Sequence, residues 1–379
     1  MLPGPTNVPE RVTAAMLRPT INHRGPEFKL LLKSMVAKMQ RVLETSSDVV
    51  LLSASGTGAV ETAVKNIVRK DDDIVVPVFG EFGGRLADQA ADEGGNVIRV
   101  ASEMGTAPSP DLIEDAARKA KSLKAVMVVY NDTSPGTTYR WLKEAADIAK
   151  AHGAFFVADA VSIVGGDELP QDRWGIDMVV GASQKCLAAP AGVSFVSVSE
   201  GLKKYVSRNR PSSSYFSIPK YLEFGERGET PYTPAIPLFF AFDEALGMVL
   251  EEGMERRVAR HRATASALYS ALGAGGLDPF VEPAVRSNVV VTARYPEGLD
   301  DHAFRSAAEE KFNVVMAGGF GQLKGKILRI GNMGEVQGHH VLSTVSAVGN
   351  ALNMLGRRVD VGGMLAAAEE KLAALAGGR

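Results

Sequence analysis

Cysteine is almost missing: Cys186 is the only one in 379 residues. A single thiol excludes an internal disulfide framework and any multi-cysteine zinc site. No stretch reaches the roughly 18–20 uninterrupted apolar residues that span a bilayer, so no membrane partner is expected. Neither sign of charge prevails, with 42 basic residues against 44 acidic ones. That balance offers no basic footprint for nucleic acid and no polybasic face for anionic lipid. The opening MLPGPTNVPERV lacks a basic segment followed by an apolar core. It therefore does not read as a signal peptide, and a cytoplasmic location is expected. The one adjacent histidine pair, His339-His340, has no HExxH-like partner set. A helix face is expected there, and no metal.

What is present is a globular composition, 45% hydrophobic and 23% charged, which can bury a core. Seven short β-branched runs read as buried strands: Asp48–Ser53, Asp73–Val78, Asn96–Val100, Ala125–Tyr130, Ala154–Ala158, Asp177–Gly181 and Val193–Val198. Helical patterns fall between them. Over Gly58–Lys70, Val60, Ala63, Val64, Ile67 and Val68 share one face. Strand–helix alternation predicts an α/β fold with a mainly parallel sheet between helices. Residues Asn209–Pro237 carry five prolines and read as a long irregular excursion. A long helical region, Pro237–Leu272, follows. Beyond it a smaller α+β pattern is expected, with strands Asn288–Thr292 and Ile327–Gly331 and helices Asp301–Phe312 and His339–Leu355. The expected organisation is an arm at 1–15, a large domain at 16–252 and a small C-terminal domain at 253–379.

Four segments carry chemistry. Lys185, in Ser183-Gln184-Lys185, follows a strand at the edge where open α/β sheets bind ligands. Desolvated there, an amine becomes a nucleophile for carbonyls; on an open loop it would be an ordinary surface lysine. Asp159 ends the strand Ala154–Ala158 and can pair with a ring nitrogen, or cap a turn. The 26 residues from Asp159 to Lys185 allow one crossover to an adjacent strand. Ser55, Gly56 and Thr57 join strand to helix as a phosphate cradle of backbone N–H groups and hydroxyls. Glu61 breaks the GxGxxG fingerprint, which argues against a nicotinamide-dependent dehydrogenase. Arg329 ends a strand of the smaller domain, where a guanidinium can clamp a carboxylate or form a salt bridge. Phe82 opens a helix and can stack on a flat ring or simply pack.

Taken in order, PGPTNVP at 3–9, SASGTGAVE at 53–61, NDTSPGT at 131–137, DAVSIVGG at 159–166, SQKCLAAPAG at 183–192, TPYTPAIP at 230–237 and RIGNMG at 329–334 resemble the class V aminotransferases of pyridoxal-phosphate fold type I. The alanine–glyoxylate / serine–pyruvate branch is the most similar. The resemblance covers nearly the whole chain and implies a seven-stranded large domain, a small C-terminal domain and pyridoxal 5'-phosphate as cofactor. It implies that Lys185 bonds to the cofactor as a Schiff base, that Asp159 pairs with the ring nitrogen, and that Phe82 stacks on the ring. Ser55, Gly56, Thr57 and Gln184 would surround the phosphate, and Val161 would line the cofactor site. Thr133 and Ser134 would lie near the ring hydroxyl or substrate. Arg329 would bind the substrate carboxylate. Thr230 and Thr233 match the stretch that completes the phosphate site of a second subunit, which implies a homodimer with shared sites. Residues 3–9 would cover the entrance.

The implied reaction is ping-pong transamination between alanine or serine and glyoxylate or pyruvate. Another donor, aspartate or pyridoxamine, is the alternative, and Arg24 is the candidate cation for a distal carboxylate. A cysteine desulfurase would need a cysteine on a mobile loop, whereas Cys186 adjoins Lys185.

Overall fold

The computed structural model describes residues 1–376. The last three residues of the expected C-terminal domain lie outside the described residues. Twelve strands occur among the described residues: β1 Asp48–Leu52, β2 Asp73–Val78, β3 Asn96–Ala101, β4 Leu123–Val129, β5 Asn131–Asp132, β6 Thr137–Thr138, β7 Phe155–Asp159, β8 Met178–Ala182, β9 Ser194–Val198, β10 Val290–Arg294, β11 Ala317–Gly318 and β12 Ile327–Gly331. Seven of them form one sheet in the order β1-β9-β8-β7-β4-β2-β3. The pairs from β3 to β8 are parallel, and β9 is antiparallel to both its neighbours. This is the mainly parallel α/β sheet that strand–helix alternation predicts.

The strands read as unbroken apolar runs because both faces are covered. Val126 and Val128 of β4 enter one core, while Ala125, Met127 and Val129 enter the other. On the second face the helix Gly56–Ile67 buries Ala59, Val60, Ala63, Val64 and Ile67. The run at β3 departs from the buried strand expected for Asn96–Val100. It is the sheet's edge, and each of its residues is either exposed or half-buried. Pro77 is tolerated within β2 because it lies beyond Val75, the last residue registered with β4, so no ladder bond on that side is lost.

Two other expectations are corrected. The proline-rich excursion contains a helix, Ile218–Glu226, with Pro219 in its first turn, where a missing N–H costs nothing. The long helical region is two helices, Ile236–Glu252 and Met254–Ala274, parted at Gly253, whose φ of 84° lies in the left-handed region. The three-stranded sheet β10-β12-β11 and the helices Asp301–Phe312, Gly338–Met354 and Val361–Ala376 build a third core. His340 does sit on a helix: its ring Nδ1 accepts from the Gln337 N–H in a capping box.

Gly181, in β8 just ahead of the lysine loop, has no room for a methyl group, which would overlap the buried Phe195 ring. Gly181→Ala should destabilise the chain by about 1–3 kcal/mol. The measurement is a lower urea midpoint at unchanged slope; an unchanged midpoint would show that the ring yields freely.

Candidate active site

Asp159 and Lys185 meet because β7 and β8 are parallel neighbours, with Asp159 registered to Val180. The chain leaves β8 in a tight turn: Ser183 Oγ donates to Pro190 O at 2.6 Å, and Ala188 N donates to Lys185 O at 3.0 Å. This turn aims the lysine across the carboxyl end of the sheet. Lys185, Asp159, Val161, Thr133, Phe82, Gly56 and Thr57 line one cavity.

Burial governs the charges there. Asp159 is pushed up to about 6, first by burial and then by nearby Asp132, against the opposing Val161 N–H and Lys185. Its Oδ1 accepts from Val161 N at 3.0 Å. Among the described residues its Oδ2 has no hydrogen-bond donor. Lys185 is held below the usual amine range, chiefly by burial and further by Arg329, while Cys186 and Asp159 act in the other direction. Arg329 is pushed down to about 10 by burial, with Asp132 resisting. A desolvated amine therefore faces a buried, half-paired carboxylate.

Arg329, in the middle of β12, donates through Nε to Gly318 O at 2.7 Å and through one terminal nitrogen to Thr133 O at 3.0 Å. The second bond ties the smaller sheet to the loop lining the cavity. The other terminal nitrogen makes no hydrogen bond among the described residues.

Phe82 is placed by a residue the motifs did not single out. The Asp132 carboxylate accepts from Phe82 N at 2.8 Å and Gly83 N at 3.1 Å, capping the helix Glu81–Asp92. It also accepts from Ser134 N and Ser134 Oγ, at 3.0 and 2.5 Å. A side chain at Gly80 would overlap this carboxylate. The available signal was an aspartate two residues ahead of a serine, the pattern of a side chain folding onto its own backbone.

The first residues reach further in than a cover. Lys185 Nζ donates to Pro3 O at 3.0 Å. Gly331 N donates to Met1 O at 2.8 Å, and Thr6 N to Gln184 O at 3.1 Å. Gly4, at φ 110°, passes so close that a side chain there would overlap the lysine.

Not every expected residue lines the cavity. Ser134 is turned away, its hydroxyl committed to Asp132 and to Glu81 N. Ser55 caps the helix Gly56–Ile67 by accepting from Gly58 N at 3.3 Å. Gln184 is not in the lining, and its Oε1 is buried without a partner. Thr230 and Thr233 lie outside the cavity; Thr230 lines a separate apolar groove with Leu30, Val36 and Leu222. Arg24 donates to Glu229 and to Thr230 O, both at 2.8 Å, and does not reach the cavity within this chain. Cys186 is fully buried, its Sγ donates to Ser162 O at 3.3 Å, and burial pushes its thiol up to about 12. A mobile nucleophilic thiol is excluded.

The lining residues fit pyridoxal phosphate. The unpartnered Asp159 oxygen suits a ring N–H, and Phe82 suits a flat ring. The glycine-started helix suits an anion: a methyl group on Gly56 would come within 2.8 Å of Val161, so backbone approaches the cavity directly.

The class V aminotransferase family model matches residues 4–321. An uncharacterised aminotransferase of Methanocaldococcus jannaschii is 39% identical over 97% of this chain and 96% of its own. A serine–glyoxylate aminotransferase of Methylorubrum extorquens is 33% identical over 98% and 95%. The crystal structure of a ureidoglycine–glyoxylate aminotransferase from Bacillus subtilis superposes with a TM-score of 0.94 at 30% identity, covering 98% of this chain and 97% of that one.

Raising the Asp159 pKa in the folded state means that its contribution to stability is full below about pH 4 and is lost as pH rises through about 6. In cofactor-free protein, Asp159→Asn should remove that loss, gaining about 3 kcal/mol on wild type between pH 4 and 7. Denaturant titrations across that range measure it, and parallel pH curves for the two proteins would refute it.

Proposed function

This chain belongs to the class V aminotransferases, pyridoxal-phosphate enzymes of fold type I, and from that premise we propose that it moves the amino group of alanine or serine onto glyoxylate or pyruvate. One observation carries the reading: a desolvated lysine and a buried, half-paired carboxylate end neighbouring strands and line a single cavity.

When bound, pyridoxal phosphate supplies an aldehyde that takes up amino nitrogen and a ring that withdraws electrons. The protein's share is binding and proton handling. Arg329 holds the amino acid's α-carboxylate through the terminal nitrogen that is left without a partner. Lys185, its charged form disfavoured by burial, would take the proton from Cα and return it to the cofactor carbon on the other side of the amino nitrogen. Asp159 Oδ2 would keep a proton on the ring nitrogen, and that pairing would stabilise the carboxylate which burial alone disfavours. Phe82 would pack on the ring face, and the helix starting at Gly56 would receive the phosphate. Pro3 and Gly4 close the cavity over the amine and keep water from it.

A small donor is favoured because Arg24, the candidate for a distal carboxylate, is already paired with Glu229. We take the enzyme to be a cytoplasmic homodimer. Its apolar groove at Thr230 and the exposed Leu17 and Leu30 support a partner surface that brings Thr230 and Thr233 to the other subunit's phosphate. Among the described residues no helix is long and apolar enough to cross a membrane. We divide the chain into an arm at 1–15, a large domain to 252 and a small domain beyond; the break at Gly253 supports the second boundary.

Purified protein loaded with cofactor should be tested with alanine, serine and aspartate against glyoxylate and pyruvate, comparing kcat/KM. Alanine or serine should lead, and a clear preference for aspartate would overturn the donor assignment. Lys185→Ala should abolish borohydride fixation of the cofactor. Arg329→Ala should lower kcat/KM by about 10- to 100-fold, mainly through KM.

A further inference from the structure

Two arginines outside the cavity join the loop that carries Lys185 to the turn beyond Arg329, which itself is not in the cavity lining. Arg257 and Arg260 lie in the first turns of the helix Met254–Ala274, three residues apart and hence on one face. Arg257 is fully buried and Arg260 nearly so, with 0% and 6% exposure. Arg257 donates from Nε to Gly165 O at 3.0 Å and from a terminal nitrogen to Cys186 O at 2.8 Å. Gly165 belongs to the loop after Asp159, and Cys186 is the residue next to Lys185. Arg260 donates to Gly334 O at 3.1 Å and Val336 O at 2.6 Å, in the turn that follows β12 and Arg329. Glu252 lies between the two guanidiniums, with bonds of 2.6 Å to Arg257 and of 2.6 and 2.8 Å to Arg260. Glu335, from the same turn, closes the set on Arg257 at 2.8 Å.

We propose that Arg257, Arg260 and Glu252 are positioning residues that hold the Lys185 loop and the Arg329 strand in one frame. The proposal rests on Lys185 being the cofactor lysine and Arg329 the carboxylate site. Burying two arginines is unfavourable unless every donor is directed; replacing the whole ion-paired set by apolar side chains of like volume would cost less, whereas removing one arginine alone leaves its carboxylates without their partner. What the guanidiniums add is direction. Their fixed forks reach backbone carbonyls on separate loops at once, which a lysine ammonium cannot do. The two loops also touch directly: a methyl group on Gly334 would come within 2.9 Å of the Ala188 side chain. A shift of the turn after Arg329 therefore presses on the loop that aims Lys185. Neighbouring His261 is a passive member. Burial, reinforced by Arg260 and Arg257, pushes it down to about 3, and its Nδ1 bonds to Arg257 O at 2.8 Å.

The test uses cofactor-loaded protein and 2-aminoisobutyrate, which carries amine and carboxylate but has no Cα proton to lose. Its dissociation constant, read from the visible absorbance, reports the frame without turnover. Wild type must first show a borohydride-reducible absorbance band that the probe displaces; failure at that point refutes the proposed function, not the frame. Arg257→Met should then weaken the probe about tenfold and lower kcat/KM about 100-fold. Arg257→Lys should recover part of the thermal midpoint without recovering probe affinity. Leu268→Ala, a core truncation on the same helix away from these bonds, should lower the midpoint and leave probe affinity unchanged. Should Arg257→Met not fold, Glu252→Gln and Arg260→Lys take its place with the same expected weakening. Wild-type probe affinity in the folded clamp variants would overturn the proposal, and so would equal weakening in Leu268→Ala.

Discussion

Asp159 is a carboxylate placed where charge is hard to keep. It ends a central strand, it is largely buried, and the backbone offers it one donor, the Val161 N–H. A second buried carboxylate, Asp132, raises its energy further. Asp132 is satisfied by two helix N–H groups and by Ser134, whereas Asp159 is left with an open valence toward the cavity. The folded chain thus supplies half of an ion pair. The sheet order that puts β7 at its centre, the turn that aims Lys185 and the helix that presents Phe82 all surround that unfinished contact. The demand for a positive partner is thus built into the protein before any ligand arrives.

Much of this was legible in the amino-acid order. Strand runs with both faces apolar announced a sheet covered on two sides, and the 26-residue step from Asp159 to Lys185 announced adjacent strand ends. The lysine, the aspartate and the small-residue turn at Gly56 could be placed because each lies at or just past the end of a strand. Arg329 was expected to end its strand; it sits instead in the middle of β12.

What stayed hidden depends on contacts between distant segments. Ser134 lies in a motif that points to the ligand, yet its hydroxyl serves a helix start 53 residues earlier in the chain. Arg257 and Arg260 lie in an unremarkable basic stretch, ERRVARHR, that reads as a solvated helix face. Only the return of two loops against that helix buries them. The break at Gly253 was invisible to periodicity because the apolar pattern runs on through it. At the edge, β3 shows the converse: its composition is that of a core strand, and only its lack of a second neighbour leaves it half-exposed.

The lone thiol has a practical corollary. Cys186 adjoins Lys185 in sequence, has no exposed surface, and gives its hydrogen to the Ser162 carbonyl. An alkylating reagent can reach it only when the surrounding structure opens. Because no other sulfhydryl competes for label, the pace of modification becomes a clock for local opening beside Lys185. It can be read by mass on the intact polypeptide, with no engineered reporter.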